Sequence, residues 1–314
     1  MKAIVNTGPG RLEMLDLPTP EPGPGQVRIR TGACGICATD IEMIEGWERT
    51  GFPSIPGHEW SGTVDAVGLG GDSSIVGRRC VGENILLGGG EVGFEHPGGY
   101  AEYFITEARN LQFLPKTFPF MTAALIEPLA VCVRGVRRLR GDTGDPVLVF
   151  GDGPIGLIVT RLLASLGKRV TLVGGRQSRL KLAWDLGASR TVNYHEGWIE
   201  GQKFATIVEA SGSTQAVEAS LDLSAPSARI LLIGDYGSDR ASFPWNTILH
   251  REIELIGSNA SADAWPEAVR LAVDEKFPLN RLITHRVTAN EFQVGVDLMR
   301  TRREGVIKVV IEWN

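Results

Sequence analysis

The pattern of hydrophobic and polar positions changes near residue 122. Before it, short apolar runs lie between turns rich in glycine and proline, which is typical of strands joined by loops. After it, apolar runs of strand length alternate with stretches in which apolar residues recur at helical spacing. Such alternation predicts a parallel sheet covered by helices. We therefore expect an α/β protein in which a doubly wound parallel sheet is joined to a β-rich domain.

The two patterns predict individual elements. In the first part, strands are predicted at residues 4–5, 27–30, 62–67 and 103–105. In the second, a helix at 122–139 precedes strands at 147–150, 169–173, 205–210 and 229–234 and helices at 155–166, 178–186 and 214–221. A helix from about 265, a helix at 289–299 and a strand at 305–311 close the chain, and we expect this tail to return to the first domain. The predicted domains are residues 1–127, completed by 263–314, and residues 128–262.

Composition and charge argue against several classes of protein. The chain has 314 residues, of which 43 % are hydrophobic and 22 % charged, with a net charge of −5. An isoelectric point near 5.7 and the lack of a basic stripe argue against nucleic-acid binding. No apolar run approaches the ~20 residues of a membrane span, and the first residues resemble no signal peptide or presequence. We therefore expect a cytoplasmic protein with no nucleic-acid or membrane partner.

Three segments, far apart in the chain, each offer one residue that a zinc ion could use. They supply the thiol of Cys37, the imidazole of His58 and the carboxylate of Glu127. Three protein ligands are one fewer than a closed structural zinc site takes, and the open position is what a catalytic zinc requires. Asp40 is a plausible acceptor for the other imidazole nitrogen of His58. Glu59 is either a neighbour of the ligands or a ligand when the coordination changes.

Each of these residues also has a plain structural interpretation. Cys37 could be a small core residue, His58 a satisfied buried histidine, and Glu127 a charge at a helix start. Cys34 and Cys37 form a C-x-x-C, but the second pair of a zinc ribbon and the βαβ context of a thioredoxin-like protein are both missing. The joint occurrence of the three ligand types with a nucleotide-binding motif favours the catalytic metal site.

That motif is a glycine-rich loop directly after the predicted strand at 147–150. It consists of Gly151, Asp152, Gly153, Pro154, Ile155 and Gly156. A G-x-G-x-x-G between a strand and a helix indicates dinucleotide binding. Its glycines allow the tight turn, the approach of a pyrophosphate and the packing of helix on strand, and the helix N-terminus attracts the phosphates. An ordinary glycine-rich turn is the alternative.

The end of the next predicted strand indicates which dinucleotide binds. An NAD enzyme usually carries an acid there, which accepts from the ribose 2′-hydroxyl. This chain instead continues with Gly174, Gly175 and Arg176, and Arg179 follows. A guanidinium can hold a 2′-phosphate with two hydrogen bonds, whereas a carboxylate would repel it. We therefore predict NADP(H); arginines solvated at a helix start are the alternative.

Together these motifs resemble the zinc-dependent medium-chain dehydrogenase/reductase family, over essentially the whole chain. The matching segments are the glycine loop and residues 35–40, 57–59, 127–129 and 305–310. The family includes alcohol, sorbitol, threonine and glucose dehydrogenases. The resemblance implies a GroES-like catalytic domain and a Rossmann domain, with zinc and nucleotide between them, and a homodimer or homotetramer.

The resemblance also implies roles for single residues in the catalytic domain. Cys37, His58 and Glu127 fall on the catalytic zinc ligands, and a glutamate at the third position is similar to the sorbitol and threonine dehydrogenase branches. Thr39 falls on the hydroxyl that bonds the substrate oxygen and starts a proton relay. Many members carry a histidine at the position of Glu42, at the outer end of that relay, so the relay runs through Glu42 or takes another route.

Further implied roles concern the cofactor and a second metal. Lys308 falls on a basic residue that meets the cofactor pyrophosphate. The run ending in Arg176, with Tyr194 further on, resembles the 2′-phosphate site of bacterial NADP-dependent secondary alcohol dehydrogenases. Many members have a structural zinc held by four cysteines, but here that region offers only Cys80. Cys34 matches no ligand position, so we expect one zinc per subunit, and that zinc is catalytic.

The function expected from these motifs is hydride transfer between NADP(H) and a secondary alcohol or ketone. Its small-molecule substrate is expected to be a polyol, sugar or amino-alcohol, because the candidate pocket side chains are mostly polar. These are Trp47, Glu48, Glu95, His96, Tyr100 and Glu102. A zinc-independent quinone or enoyl reductase and a non-catalytic binding protein are the alternatives, and the intact set of ligand positions argues against both.

Overall fold

The computed structural model describes residues 1–140 and 144–313. Its strands are β1 Lys2–Gly8, β2 Arg11–Asp16, β3 Gln26–Ile36, β4 Glu59–Val67, β5 Arg79–Gly82, β6 Tyr103–Glu107, β7 Leu111–Phe113, β8 Val147–Phe150, β9 Val170–Gly174, β10 Arg190–Asn193, β11 Phe204–Glu209, β12 Ser224–Leu232, β13 Glu254–Gly257, β14 Ile283–Thr288 and β15 Lys308–Glu312. Its α-helices are α1 Ala38–Glu45, α2 Phe120–Ala124, α3 Ile126–Arg138, α4 Pro154–Ser165, α5 Gln177–Asp185, α6 Thr214–Leu223, α7 Trp245–Arg251, α8 Trp265–Val273 and α9 Phe292–Thr301.

The chain divides into two compact units. The first, unit 1, comprises Met1–Pro128 and Trp265–Asn314, and the second, unit 2, comprises Leu129–Ala264. Unit 1 is the β-rich one and contains a seven-stranded sheet of order β14-β15-β3-β4-β5-β7, with β6 paired to β3. The C-terminal strands β14 and β15 thus belong to the same sheet as β3, although most of the chain separates them in sequence.

Three neighbouring strands of that sheet form the framework of the candidate site. β15 pairs antiparallel with β3, with Val309 opposite Ile36, and β4 pairs antiparallel with β3, with Glu59 opposite Gly35. The end of β3 therefore lies beside the beginnings of β4 and β15. Side chains at these three strand ends are neighbours by strand pairing alone.

Unit 2 is a doubly wound α/β unit. Its six strands are all parallel and follow the order β10-β9-β8-β11-β12-β13. Numbered along unit 2, this is 3-2-1-4-5-6, the order of dinucleotide-binding Rossmann sheets, in which the strand order reverses between the first and fourth strands. The predicted fold class, a Rossmann sheet joined to a β-rich GroES-like domain, is confirmed.

The element boundaries differ from the sequence prediction in one informative place. The helix predicted at 122–139 is two helices, α2 and α3, with Leu125 between them. Pro128 is the third residue of α3, where its missing N–H removes no intrahelical bond. A continuous helix would have put Pro128 in its interior, so the chain ends one helix and starts another.

Several short elements escaped the sequence prediction altogether. The helix α1 has only eight residues, α7 has seven and β13 has four. In segments of this length the spacing of apolar residues repeats too few times to indicate a helix or a strand. Among residues 1–140 and 144–313, no helix is long and apolar enough to cross a membrane.

Candidate functional site

The neighbouring ends of β3 and β4 bring three of the predicted metal ligands together in unit 1. Cys37 follows β3 and caps the N-terminus of α1. His58 precedes β4, whose first residue is Glu59. Gly57 has φ +104°, and a Cβ there would lie 2.7 Å from the backbone nitrogen of Tyr100. Only glycine fits this turn, which delivers His58 to the strand ends.

Cys37, His58 and Glu59 offer ligand atoms that all lie within 4.8 Å of one another. Zinc bonds to sulfur, nitrogen and oxygen are about 2.0–2.3 Å long, so ligand atoms around one ion lie roughly 4 Å apart. A thiol, an imidazole and a carboxylate are also ligand types that zinc takes. The residues present therefore fit a zinc ion in both spacing and chemistry.

Asp40 lies next to the imidazole of His58, and Tyr100 contacts Asp40 in turn. Asp40 Oδ1 lies 3.2 Å from His58 Nδ1, and both side chains are buried. Burial acts to lower the pKa of His58, but the charges of Asp40 and Cys37 outweigh it and raise that pKa. Asp40 is itself fixed, since its Oδ2 accepts the backbone N–H of Cys37 at 2.8 Å and the Tyr100 hydroxyl at 3.4 Å. The imidazole therefore presents its other nitrogen, Nε2, away from Asp40.

Glu59 is the centre of a buried ion pair that sequence reasoning missed. Lys308 Nζ donates to Glu59 Oε1 at 2.6 Å, with both side chains almost fully buried. Lys308 also lies 3.4 Å from the backbone oxygen of Ile36. Burial acts to lower the pKa of Lys308, but the charges of Glu59, Cys37 and Glu127 together outweigh it and raise that pKa. The predicted contact of Lys308 with a pyrophosphate stays a prediction, and the contact seen in the structure is with Glu59.

The second oxygen of Glu59 has a different environment. Glu59 Oε2 is buried and has no hydrogen-bond partner. A Cβ on Gly35 would lie 2.1 Å from this oxygen, so the glycine leaves the room that it occupies. A buried carboxylate oxygen without a partner is costly, and a bound cation would satisfy it. This oxygen is a further observation that fits a metal at the site.

Glu127 lies in the first turn of α3 and is partly buried. Its carboxyl group is not among the ligand atoms grouped within 4.8 Å. Burial raises the pKa of Glu127 to about 8; His58 and Lys308 oppose the rise, and Glu59 and Glu83 add to it. His58 and Glu59 are two of the grouped ligand residues, so Glu127 interacts electrostatically with the candidate metal site. Its role as third ligand stays a prediction.

The predicted relay residues both lie on α1. Thr39 is partly buried, with its hydroxyl 3.6 Å from Cys37 Sγ. Glu42 is on the exposed side of the same helix, whereas Asp40, Met43 and Ile44 are buried. The helix therefore carries one hydroxyl beside the first ligand and one carboxylate at the surface. The route between them stays a prediction.

Three of the candidate pocket residues make other contacts. Tyr100 is fully buried, and its hydroxyl bonds Asp40 instead of lining a pocket. Glu95 pairs with Arg49, and Glu102 accepts the backbone N–H of Lys2. Three of the predicted side chains are therefore committed to structural contacts.

One aromatic residue beside the ligands was missed by sequence reasoning. The ring of Phe94 lies with its centroid 4.8 Å from that of His58, and Trp47 packs edge-on against it at 6.5 Å. The guanidinium of Arg49 lies over the Phe94 ring, 4.4 Å from its centroid. Phe94 and Trp47 thus form an apolar wall next to the histidine, and a single phenylalanine in a glycine-rich loop gives no sequence signal for such a role.

The glycine loop of unit 2 has the shape that a dinucleotide needs. Gly151 adopts φ +109°, and a Cβ on Gly156 would lie 1.9 Å from the oxygen of Gly151, so the helix packs directly on the turn. At Gly153, by contrast, a Cβ would meet nothing within 4 Å. The open surface at Gly153 is where a pyrophosphate would approach, at the N-terminus of α4. The loop therefore fits a nicotinamide dinucleotide.

The residues predicted to select NADP lie together at the end of β9. Arg176 caps α5 and Arg179 lies in its first turn. A Cβ on Gly175 would lie 2.5 Å from the hydroxyl of Tyr194, so the tyrosine covers the backbone there. Both arginines are ion-paired with Asp152 of the glycine loop. The sequence shows Asp152 in the glycine loop, but it does not predict the contact with the arginines. That contact depends on how the loop is placed beside the end of β9.

Comparison with known proteins gives the family of the chain. Residues 23–116 match the family model of the alcohol dehydrogenase GroES-like domain, and residues 154–274 match that of the zinc-binding dehydrogenase. The chain is 32 % identical to the D-altritol 5-dehydrogenase of Agrobacterium fabrum over 315 residues, which cover 93 % of this chain and 94 % of that enzyme. The chain belongs to the zinc-type medium-chain dehydrogenases. It is an oxidoreductase of the alcohol and polyol class, acting on a small molecule with a nicotinamide cofactor.

Solved structures of dehydrogenases have the same fold. An Escherichia coli alcohol dehydrogenase solved with NADH superposes with a TM-score of 0.93 at 25 % identity, over 99 % of both chains. A zinc-binding dehydrogenase of Sinorhizobium meliloti bound to NADP has a TM-score of 0.91 at 26 % identity, over 99 % of this chain and 98 % of that one. Structures as similar as these two were thus solved with different dinucleotides, so the fold alone does not fix the cofactor.

Proposed function

We propose that the chain is a zinc-dependent, NADP(H)-linked dehydrogenase of secondary alcohols, with polyols, sugars or amino-alcohols as its substrate class. The observation that carries the proposal is the convergence of Cys37, His58 and Glu59 within 4.8 Å in a chain that also has a dinucleotide-binding unit. The polyol-oxidising relative from Agrobacterium fabrum supports the substrate class.

The zinc would be held by Cys37 and His58 together with a carboxylate, either Glu127 or Glu59. When bound, it supplies a Lewis acid that polarises the substrate oxygen, and the nicotinamide supplies the hydride chemistry. Asp40 fixes the orientation of the His58 ring, because its Oδ1 lies 3.2 Å from Nδ1. The Nε2 lone pair is then directed to the side where Cys37 offers its thiol.

The proton of the substrate alcohol would be taken up by Thr39 Oγ1. This hydroxyl lies 3.6 Å from Cys37 Sγ, so it sits directly beside the first metal ligand. A hydroxyl can accept one hydrogen bond while donating another, so Thr39 can pass a proton outward. The exposed carboxylate of Glu42, on the same helix, is the proposed outer acceptor.

The preference for NADP(H) rests on Arg176, Arg179 and Tyr194. They lie at the end of β9, where dinucleotide-binding folds recognise the adenosine ribose. A guanidinium binds a phosphate with two charge-assisted hydrogen bonds, and β9 itself ends in glycine and carries no acid.

The proposal is tested by a turnover screen of polyols, sugars and secondary alcohols with NADP⁺, together with zinc content. We expect Cys37→Ser to lose its zinc and to lower kcat/KM by about a thousandfold, because Lewis-acid stabilisation is worth several kcal/mol. The matched control is Cys34→Ala, which removes a buried thiol three residues away on β3 and should keep both zinc and turnover. Full turnover by Cys37→Ser after chelation would refute the proposal.

A further inference from the structure

A carboxylate lies inside the nucleotide loop itself. Asp152 stands between Gly151 and Gly153, and its side chain is only 6 % exposed. Asp152 Oδ2 accepts the backbone N–H of Gly175 at 3.0 Å and that of Arg176 at 2.8 Å. Backbone N–H groups of the two residues that follow β9 therefore hold the Asp152 carboxylate in place.

The same carboxylate engages both candidate phosphate-binding arginines. Asp152 Oδ1 lies 3.2 Å from Arg176 Nη1 and 3.5 Å from Arg179 Nη1. Arg179 is largely buried, whereas the Arg176 side chain is 42 % exposed. The two guanidinium groups and the one carboxylate together carry a net charge of about +1, which an incoming nucleotide would meet.

The Asp152 carboxylate lies near the position where NAD-binding folds carry an acid that contacts the ribose. A Cβ on Gly174, the last residue of β9, would lie 2.5 Å from Asp152 Cβ and 2.8 Å from its Cγ. Asp152 therefore fills the space where a side chain at the end of β9 would begin. In NAD-binding proteins an acid at that strand end accepts from the ribose 2′-hydroxyl. Here the glycine loop supplies the acid, and Gly174 makes room for it.

We propose that Asp152 sets the balance between NADP(H) and NAD(H), and that the chain therefore accepts both dinucleotides. This inference rests on the proposed dehydrogenase function and widens its cofactor assignment from NADP(H) to both dinucleotides. A 2′-phosphate brings a charge of about −2 and competes with Asp152 for Arg176 and Arg179. A ribose without that phosphate leaves the ion pairs intact and can donate its hydroxyl to the carboxylate. Asp152 thus weakens NADP(H) binding and strengthens NAD(H) binding.

The kinetic test compares Asp152→Asn with Asp145→Asn. Asp145 is the matched control. It lies just before β8, whereas Asp152 follows that strand. Like Asp152, it accepts from a backbone N–H and from a guanidinium, here both of Arg169 and each at 2.7 Å. We expect Asp152→Asn to raise the ratio of kcat/KM for NADP⁺ to that for NAD⁺ by about tenfold, which is about 1.4 kcal/mol. Asp145→Asn should leave this ratio within about twofold of wild type. An unchanged or lowered ratio in Asp152→Asn overturns the proposal.

A binding test separates this inference from the proposed function. Isothermal titration calorimetry of 2′,5′-ADP and of 5′-AMP needs no turnover. We expect Asp152→Asn to bind 2′,5′-ADP about tenfold more tightly and 5′-AMP no more tightly than wild type does. Asp152→Ser, which keeps an acceptor for the N–H groups of Gly175 and Arg176, provides a second variant if the first does not fold. Unchanged affinity for 2′,5′-ADP in the folded variant overturns the inference even if the enzyme turns over, and a shifted affinity without any turnover refutes the proposed function alone.

Discussion

Two buried carboxylates, one in each unit, are held by basic side chains in opposite ways. In unit 1, Glu59 pairs with Lys308 through one oxygen, and its other oxygen has no partner. In unit 2, Asp152 uses both oxygens, with two backbone N–H groups and two arginines as partners. One oxygen of Glu59 is available to a cation, whereas both oxygens of Asp152 already have partners.

This difference in partners indicates the charge of the ligand that each carboxylate favours. An unsatisfied oxygen beside Cys37 and His58 favours a positively charged ligand, which is the role of a metal site. A carboxylate that is already paired with two arginines opposes a further anion, so a 2′-phosphate has to compete with Asp152 for those arginines. Burial differs too, because the Glu59 pair is almost fully buried while Arg176 is partly exposed. In the proposed roles, the same ion-pair chemistry would form part of a metal centre in unit 1 and would select the dinucleotide in unit 2.

The largest expected effect comes from breaking the buried pair. Lys308→Met leaves Glu59 charged and uncompensated, and we expect the free energy of unfolding to fall by about 3–5 kcal/mol in urea denaturation. Arg176→Ala, in the partly exposed pair, should cost no more than about 1 kcal/mol. Adding Glu59→Gln to Lys308→Met should recover part of the loss, because no unpaired charge then remains. Equal costs for the two single variants would contradict the contrast between the units.

A smaller effect is expected from the acid behind the histidine. Asp40→Asn removes the charge that faces His58 Nδ1 and should lower zinc affinity by about 10–100-fold, measured by competition with a chromophoric chelator. Glu42→Gln is the matched control, because it makes the same kind of change on the exposed side of the same helix. We expect it to keep wild-type zinc affinity. Equal losses in the two variants would show that helix α1 responds to charge in general and not to the Asp40–His58 contact.

The smallest effects are expected from alanine substitutions in the nucleotide loop, where Gly153 is open to its surroundings and Gly156 is closely packed. Gly153→Ala adds a Cβ that meets nothing within 4 Å, so stability should change by less than about 1 kcal/mol. The same methyl group stands where the pyrophosphate approaches, and we expect nucleotide affinity to fall by about tenfold in calorimetry. Gly156→Ala should instead destabilise the fold, because its Cβ would lie 1.9 Å from the oxygen of Gly151. Unchanged nucleotide affinity in Gly153→Ala would argue against binding at this loop.

The sequence predicted those parts of the molecule that depend on local patterns. The parallel sheet followed from alternating strands and helices, and the glycine loop from its position between β8 and α4. Cys37 and His58 were candidates because their residue types are zinc ligands, and strand pairing then explains why they meet. The ligand types and the loop needed no knowledge of distant contacts.

The parts that escaped prediction depend on contacts between distant positions. Glu59 and Lys308 are separated by 249 positions, and only the pairing of β4 and β15 on either side of β3 brings them together. Asp152 meets Arg176 because β8 and β9 are neighbours in the sheet, which no spacing in the sequence reveals. The break between α2 and α3 depends on where Pro128 falls in a turn, and periodicity alone does not register it.

The central claim is that the Cys37–His58 cluster holds one zinc ion that turnover requires. The most direct measurement is a zinc titration of the chelated protein, with NADP⁺ reduction by a substrate polyol followed in the same samples. The account predicts negligible turnover without zinc, a rise as zinc is added, and saturation at one zinc per chain. Full turnover in the chelated protein, or no recovery when zinc is returned to it, would contradict the account.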